Sequence, residues 1–416
     1  MILLKKATII DKQNALHGKQ RDILIKNGKI AQIATNITQD GAREIAFKGL
    51  HVSIGFIDSS VSLGEPGFEE RQTLDNGLKA AAAGGFTTIM LNANNDPSPQ
   101  DRTGIDFIKN TTAGKAVNVL PVGNFTLSQA GEHLAQLYDM QQAGAVTFYD
   151  YKHAVQNANL LKLGLQYTKT FDGIVQSFPL ERSLAGAGQV NEDMATAHLG
   201  MRTQATIAEE IQITRDLALA TYTQGRLHIP TVTTATGVKL ITAAKNNAQV
   251  TCSVSAHHLV CSTDDLASFD SNYKTLPPLR SATDRDKLLK EVLKGNVDMI
   301  TSDHTPLTIE QKDVEFDQAI PGTIGLESTF GVLHSILGTE LTVAMLTNAY
   351  EAFLQPRPAI EEGLPANLTL FTTEGTDNFS KNHIVSTAKN SALLGVKTSG
   401  RILGIFNNNK LMLHDF

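Results

Sequence analysis

The chain has little of several things, and each shortage narrows what it can be. Only Cys252 and Cys261 occur among 416 residues, too few for a disulfide framework, and a reducing, cytoplasmic location is expected. Basic excess is missing: the net charge is -6 and the pI about 6.1, so no patch is in evidence for neutralising phosphates, and nucleic acid is excluded as an expected partner. No apolar run reaches the roughly 18 residues that a membrane helix needs. The opening MILLKKATII is a short apolar run without a small-residue cleavage site, and it does not read as a secretory signal. There is no internal repeat and no low-complexity tract. What remains is a chain with 41% hydrophobic and 19% charged residues, enough for one large core and a smaller satellite domain.

Along the chain, short β-rich runs alternate with helical stretches. The runs are 54–63 (IGFIDSSVSL), 86–92, 116–124, 143–150, 173–179, 226–232, 250–256 and 297–303. Between them lie segments of helical period such as TLDNGLKAAAAGG, LLKLGLQYTK, IAEEIQITRDLALATY and TDRDKLLKEVLKG. Each parallel connection needs a crossover, and eight such units close into a (β/α)8 TIM barrel, expected here over residues 52–360. Residues 1–51 and 361–416 read as short strands and turns, and together they predict one small β-sandwich built from both termini. The Gly- and Ala-rich stretch 180–204 predicts a long loop over one barrel face. AAAAGGF reads as a helix end closing onto a strand, since a phosphate cradle would precede a helix instead.

Several segments occur in a telling order: GFIDSSVSLGEPGFEERQTLDNGLKAAAAGGFTTIMLNANNDP, SLAGAGQVNED, AEEIQITRD, GRLHI, AHHL, PPLRSATDRD, SDHTP and EFDQAIPGTIGLE. In content and spacing they resemble the dihydroorotases, amidohydrolase-superfamily enzymes of pyrimidine biosynthesis, over essentially the whole chain. The chain is most similar to the longer type that associates with aspartate transcarbamoylase. The resemblance implies zinc at the C-terminal ends of the barrel strands, polarising an amide carbonyl and lowering the pKa of bound water to roughly 7.

Set against that pattern, the ligand histidines are missing. The two expected on the first strand, two apart so that both point inward, are Ser60 and Ser62, and those expected on strands 5 and 6 are Gln176 and Thr231. Neutral oxygen groups are poor zinc ligands beside imidazole. The arginine that would grip a substrate carboxylate is Gly64, and Leu276 stands where asparagine precedes the two prolines. Asn94 matches a substrate-contacting asparagine; Asp150 and Asp303 match an acidic metal ligand and the general-base aspartate. A general base without a metal-bound water has nothing to activate, so Asp303 and His304 are expected to hydrogen-bond barrel-mouth backbone or Ser60. Tyr149 and Tyr151 replace smaller residues and either fill the pocket or simply pack. His257, His258 and mid-strand His228 are expected to be structural. Gly322, Gly325 and Glu327 predict a loop that keeps its backbone course without catalytic contact.

The expectation is therefore a dihydroorotase-like pseudoenzyme that holds no zinc, forms a homodimer or larger complex, and acts as a partner or scaffold of aspartate transcarbamoylase. One alternative is an active cyclic-amide hydrolase with a relocated metal on Asp150, Asp303, His257 or His304. A third is a structural oligomer outside pyrimidine metabolism. No membrane partner is expected.

Overall fold

A computed structural model describes residues 1–414. Eight short parallel strands form one sheet in chain order: β1 (Phe56–Val61), β2 (Phe86–Leu91), β3 (Asn118–Gly123), β4 (Thr147–Phe148), β5 (Ile174–Gln176), β6 (Arg226–Ile229), β7 (Val250–Ser255) and β8 (Met299–Thr301). A helix follows each: α1 (Leu74–Ala83), α2 (Arg102–Thr112), α3 (Leu137–Ala143), α4 (Ala158–Lys169), α5 (Ile207–Thr223), α6 (Ala235–Ala244), α7 (Ala282–Leu293) and α8 (Leu326–Leu337). Strands buried on both faces are continuous apolar or small-residue runs, as parallel sheets under helices require; every residue of β2, FTTIML, is buried.

The barrel closes where β8 meets β1. Val61 bridges His304 in parallel, and Ser62 N–H donates to the His304 carbonyl at 2.8 Å. Asp58 staples the same seam by accepting from Ser60 N–H at 3.0 Å and Ser302 N–H at 2.9 Å. Burial pushes the Asp58 carboxyl up to about 6.

Both termini build the second sheet. Leu368–Asn378 and Lys397–Asn407 pair antiparallel, Leu368–Asn378 pairs Leu50–Ile54, and that strand runs parallel to Ile2–Ile9. Its apolar faces enclose Leu4, Ile9, Ile23, Val52, Leu368 and Phe406. The chain leaves this β-sandwich domain after Ile54 and enters the barrel at Phe56.

Stretch 180–204 is more ordered than its composition predicts. It holds a short helix, Arg182–Ala185, and a parallel ribbon pairing Val190–Asn191 with Thr203–Gln204. Side-chain bonds pin it: Thr196 Oγ1 donates to the Asn191 carbonyl at 2.5 Å, and Asn191 Oδ1 accepts from Arg280 Nη1 at 2.7 Å. Among the described residues, no helix is long and apolar enough to cross a membrane.

Candidate functional site

The C-terminal strand ends bring most of the expected positions to one barrel mouth, where chemistry on this fold is located. Ser60 Oγ donates to Asp303 Oδ1 at 3.2 Å. Asn92, at the end of β2, bridges the two serines, its Nδ2 lying 3.3 Å from Ser60 Oγ and 3.2 Å from Ser62 Oγ. The other Asp303 oxygen accepts from Lys152 Nζ at 2.8 Å, with both side chains at least nine-tenths buried. Burial alone would drive the Lys152 amine down, but Asp303 beside it more than reverses this and keeps the ammonium charged.

Neither Asn92 nor Lys152 stands out in the sequence. Lys152 lies in the loop-like run YDYKH, and its ion pair spans 151 residues of chain. The one local signal is a lysine two residues beyond the strand-4 aspartate, among aromatics. Tyr149 and Tyr151 enclose it: Lys152 N–H donates to Tyr149 Oη at 3.1 Å, and Nζ lies 5.2 Å from the Tyr151 ring centroid. Tyr151 Oη and Thr305 Oγ1 are 2.9 Å apart.

Asp150 points elsewhere. Its Oδ1 accepts from Phe125 N–H at 2.9 Å and Thr126 N–H at 2.8 Å, and Oδ2 accepts from the Thr126 hydroxyl. Burial pushes this carboxyl up to about 6 against those bonds. Thr231 holds φ 54° and Asp303 φ 50°, a backbone region costly for a β-branched residue and concentrated at functional strand ends.

The histidines are held by the protein itself. His304 Nδ1 accepts from Gly325 N–H at 3.2 Å and Nε2 donates to Gln72 Oε1 at 2.8 Å. That arrangement needs a neutral ring, and burial pulls its pKa to about 3. His258 Nδ1 lies 2.6 Å from Ser255 Oγ and its Nε2 3.1 Å from the Pro277 carbonyl. His257 Nε2 shares Ser255 Oγ at 3.2 Å. His228 lies between Thr251 Oγ1 and Ser253 Oγ at 2.9 and 3.1 Å.

The surrounding loops carry two more facts. A Cβ at Gly64 would lie 1.9 Å from the Phe68 carbonyl oxygen, so this turn admits no side chain there. Gly325 passes close to Ser302, where a Cβ would come within 2.6 Å of its carbonyl. Glu327 faces away from the mouth and accepts from Ser386 N–H at 2.8 Å and Oγ at 2.6 Å.

The residues present do not suit zinc. Ser60, Ser62, Thr231 and Gln176 offer hydroxyl and carboxamide oxygens, Asp150 is occupied by three donors, and Asp303 already faces a cation. Among the described residues, no three His, Cys, Asp or Glu side chains gather where they could hold a metal ion. Several mouth-side atoms have no hydrogen-bond partner in the protein: Asn92 Oδ1, Asn94 Oδ1, Gln176 Nε2 and His257 Nδ1.

The architecture matches that of solved hydantoinase structures. L-hydantoinase from Arthrobacter aurescens superposes with a TM-score of 0.84 at 21% identity, over 99% of this chain and 96% of that one. D-hydantoinase from a Thermus species gives 0.83 at 20% identity, over 100% and 96%. The fold class is thus a (β/α)8 barrel with an attached β-sandwich.

Sequence narrows the class further. A dihydro-orotase-like family model matches residues 50–236. The dihydroorotase of Pelotomaculum thermopropionicum is 33% identical over 428 aligned positions, covering 100% of this chain and 99% of that protein. That of Carboxydothermus hydrogenoformans is 34% identical over 391, covering 92% and 91%. The chain belongs to the dihydroorotase family.

Proposed function

We propose that this chain is a non-catalytic dihydroorotase homologue of pyrimidine biosynthesis that works as a partner or scaffold of aspartate transcarbamoylase. One observation carries the reading: the Lys152 ammonium bonds the carboxylate that corresponds to the family's general base. A base neutralised by a fixed internal cation 2.8 Å away is poorly placed to accept a proton from water, and Ser60, Ser62, Gln176 and Thr231 supply no imidazole to hold a metal that would activate one. The transcarbamoylase partnership rests on the likeness to the longer dihydroorotases. An intact barrel around an altered centre favours a role carried by its surface.

The test is elemental analysis of protein purified without chelators, with a dihydroorotate hydrolysis assay on the same sample and on its mixture with aspartate transcarbamoylase. The expected result is below about 0.1 zinc per chain, no turnover, and co-elution with or altered activity of the transcarbamoylase. Near-stoichiometric zinc with turnover would overturn the reading in favour of a hydrolase with a relocated metal.

A further inference from the structure

On the rim of the barrel mouth, between the β-sandwich connection 381–390 and the loops that follow β7 and β8, lies a cleft of about 750 Å³. Its lining falls into two sides of opposite charge. The first, formed by the turn after β1 and by 381–390, presents Arg71, Lys381 and Lys389 against the single carboxylate of Glu70. The second, formed by 270–272 and 307–313, presents the carboxylates of Asp270, Glu310 and Asp313. The one cation on that side, Lys312, is turned inward: its Nζ donates to the Ser271, Lys274 and Ile320 carbonyls at 2.5, 3.2 and 3.2 Å. Among the described residues, none of these charged groups forms an ion pair, across the cleft or elsewhere.

Both sides are held in place by their own hydrogen bonds. On the first, Asn76 in α1 donates from Nδ2 to the Val385 carbonyl at 3.1 Å and accepts from Thr387 N–H at 2.8 Å. Lys389 Nζ donates to the Ile384 and Ser386 carbonyls, both at 2.9 Å, which leaves one of its three N–H groups. On the second, the Ser271 hydroxyl donates to the Lys312 carbonyl, and Asp270 Oδ1 accepts from Asn272 N–H at 2.9 Å. Asn390 joins the two, donating to the Thr305 carbonyl at 3.0 Å and accepting from Leu307 N–H at 3.1 Å. Arg71 is the group with an unmet demand. Its guanidinium carbon stands 4.2 Å from the Phe68 ring centroid, so one face of the plane is covered, and its Nε is buried without a hydrogen-bond partner. Burial works against its charge, and Glu70 offsets this only through space. A stacked guanidinium of this kind is preset to grip a carboxylate. Opposite it, Glu310 is charged at neutral pH, because its own N–H and the Thr308 hydroxyl hold its carboxyl below the ordinary range.

We infer that this cleft binds a short zwitterionic peptide, with the terminal carboxylate on Arg71 and the terminal ammonium on the Glu310 and Asp313 side. A simple anion would face the carboxylates of the second side, and a simple cation would face Arg71 and Lys381. A ligand with opposite charges at its two ends satisfies both sides at once. The volume lies within the roughly 300–1,000 Å³ of small-molecule sites. A tripeptide extended at about 3.3–3.6 Å per residue is about 10 Å long, enough to span sides whose charges do not reach one another. Walls fixed in advance keep the ordering cost of binding low. Ser60, Lys152 and Asp303 do not line this cleft, and the inference stands whether or not the barrel mouth is catalytic.

Isothermal titration of the full chain with trialanine, N-acetyl-trialanine and trialanine amide tests it. Trialanine is expected to bind with a Kd at or below about 1 mM, and blocking either end should weaken binding about 10-fold. Arg71→Met should weaken trialanine about 10-fold and erase the difference between trialanine and its amide, while the preference for a free amine remains. Glu310→Gln/Asp313→Asn should do the reverse, erasing the difference between trialanine and its N-acetyl form. Both variants change side chains on the cleft surface, and circular dichroism spectra matching wild type are expected of them. No heat of binding up to about 10 mM trialanine, equal binding of the free and blocked peptides, a preference for one free end only, or binding that neither variant alters would each overturn the inference.

Discussion

Two buried ion pairs sit at the same end of this barrel, and they are built differently. Glu209, at the start of α5, accepts from the N–H groups of Thr233 and Thr234 at 3.0 and 2.9 Å and from Thr234 Oγ1 at 2.8 Å. Arg280 faces it with Nη2 at 3.3 Å, while its Nε and Nη1 bond Thr233 Oγ1 and Asn191 Oδ1 at 2.8 and 2.7 Å. Asp303 has two side-chain partners in comparison, Lys152 and Ser60, and unpartnered polar atoms lie around the same mouth. The first pair is saturated and ties three loops together. The second balances one charge and little else. Buried pairs gain from geometry and accompanying hydrogen bonds more than from the charges alone, so the Glu209 pair is part of the frame and the Lys152 pair is a plug in the mouth.

That difference can be broken experimentally. The largest effect is expected from Arg280→Met, which strands Glu209 without its cation and cuts the tie to Asn191. A loss of about 3–5 kcal/mol is predicted, read from urea midpoints, and a loss below about 1 kcal/mol would remove the distinction. Lys152→Met should cost about 3 kcal/mol at pH 7. Burial already raises the Asp303 pKa, and removing the ammonium raises it further. The native state then binds a proton that the unfolded chain releases, so the loss shrinks as pH falls toward 5. Lys152→Met/Asp303→Asn should recover most of the stability, whereas no such rescue is expected of Arg280→Met/Glu209→Gln, because the Asn191 tie stays broken.

A third substitution reports on Asp150. Its folded pKa of about 6 lies above the unfolded value of about 3.9. Its contribution is therefore fully present below pH 4 and is lost as pH rises through 6. Asp150→Asn keeps an acceptor for Phe125 and Thr126 N–H but does not titrate. The slope of stability against pH between 4 and 6 should become more positive by up to about 1.4 kcal/mol per pH unit; an unchanged slope would mean that Asp150 stays ionised. The smallest effect is expected from Tyr151→Phe, which removes the hydroxyl that contacts Thr305 and Lys152 while leaving the ring and should cost about 1 kcal/mol, measured in the same urea series.

Most of the barrel was legible in the sequence because parallel strands under helices must be apolar on both faces, and runs such as FTTIML and VTCSVS announce this locally. Ladders came out shorter than the runs. In 143–150 only Thr147–Phe148 carries the regular pairing, and by Asp150 the chain has turned toward the backbone of Phe125 and Thr126. The meeting of Ser60 and Ser62 at the mouth was equally readable, since residues two apart on a strand share one face, and Asn92 bridges both. Lys152 was not, because a lysine in a polar-looking loop acquires meaning only when folding brings Asp303 to it. The order within 180–204 was hidden for the same reason: it depends on Arg280, about ninety residues downstream.

The turn at Gly64 limits what can be substituted at the mouth. With the Phe68 carbonyl standing where a first side-chain carbon would go, no larger residue can enter position 64 without relaying the loop as far as Gln72, whose carbonyl accepts the Gly64 N–H. That same glutamine holds His304, so relaying it disturbs the barrel seam. Such a turn works as a latch: a side chain can enter at residue 64 only if the loop moves with it.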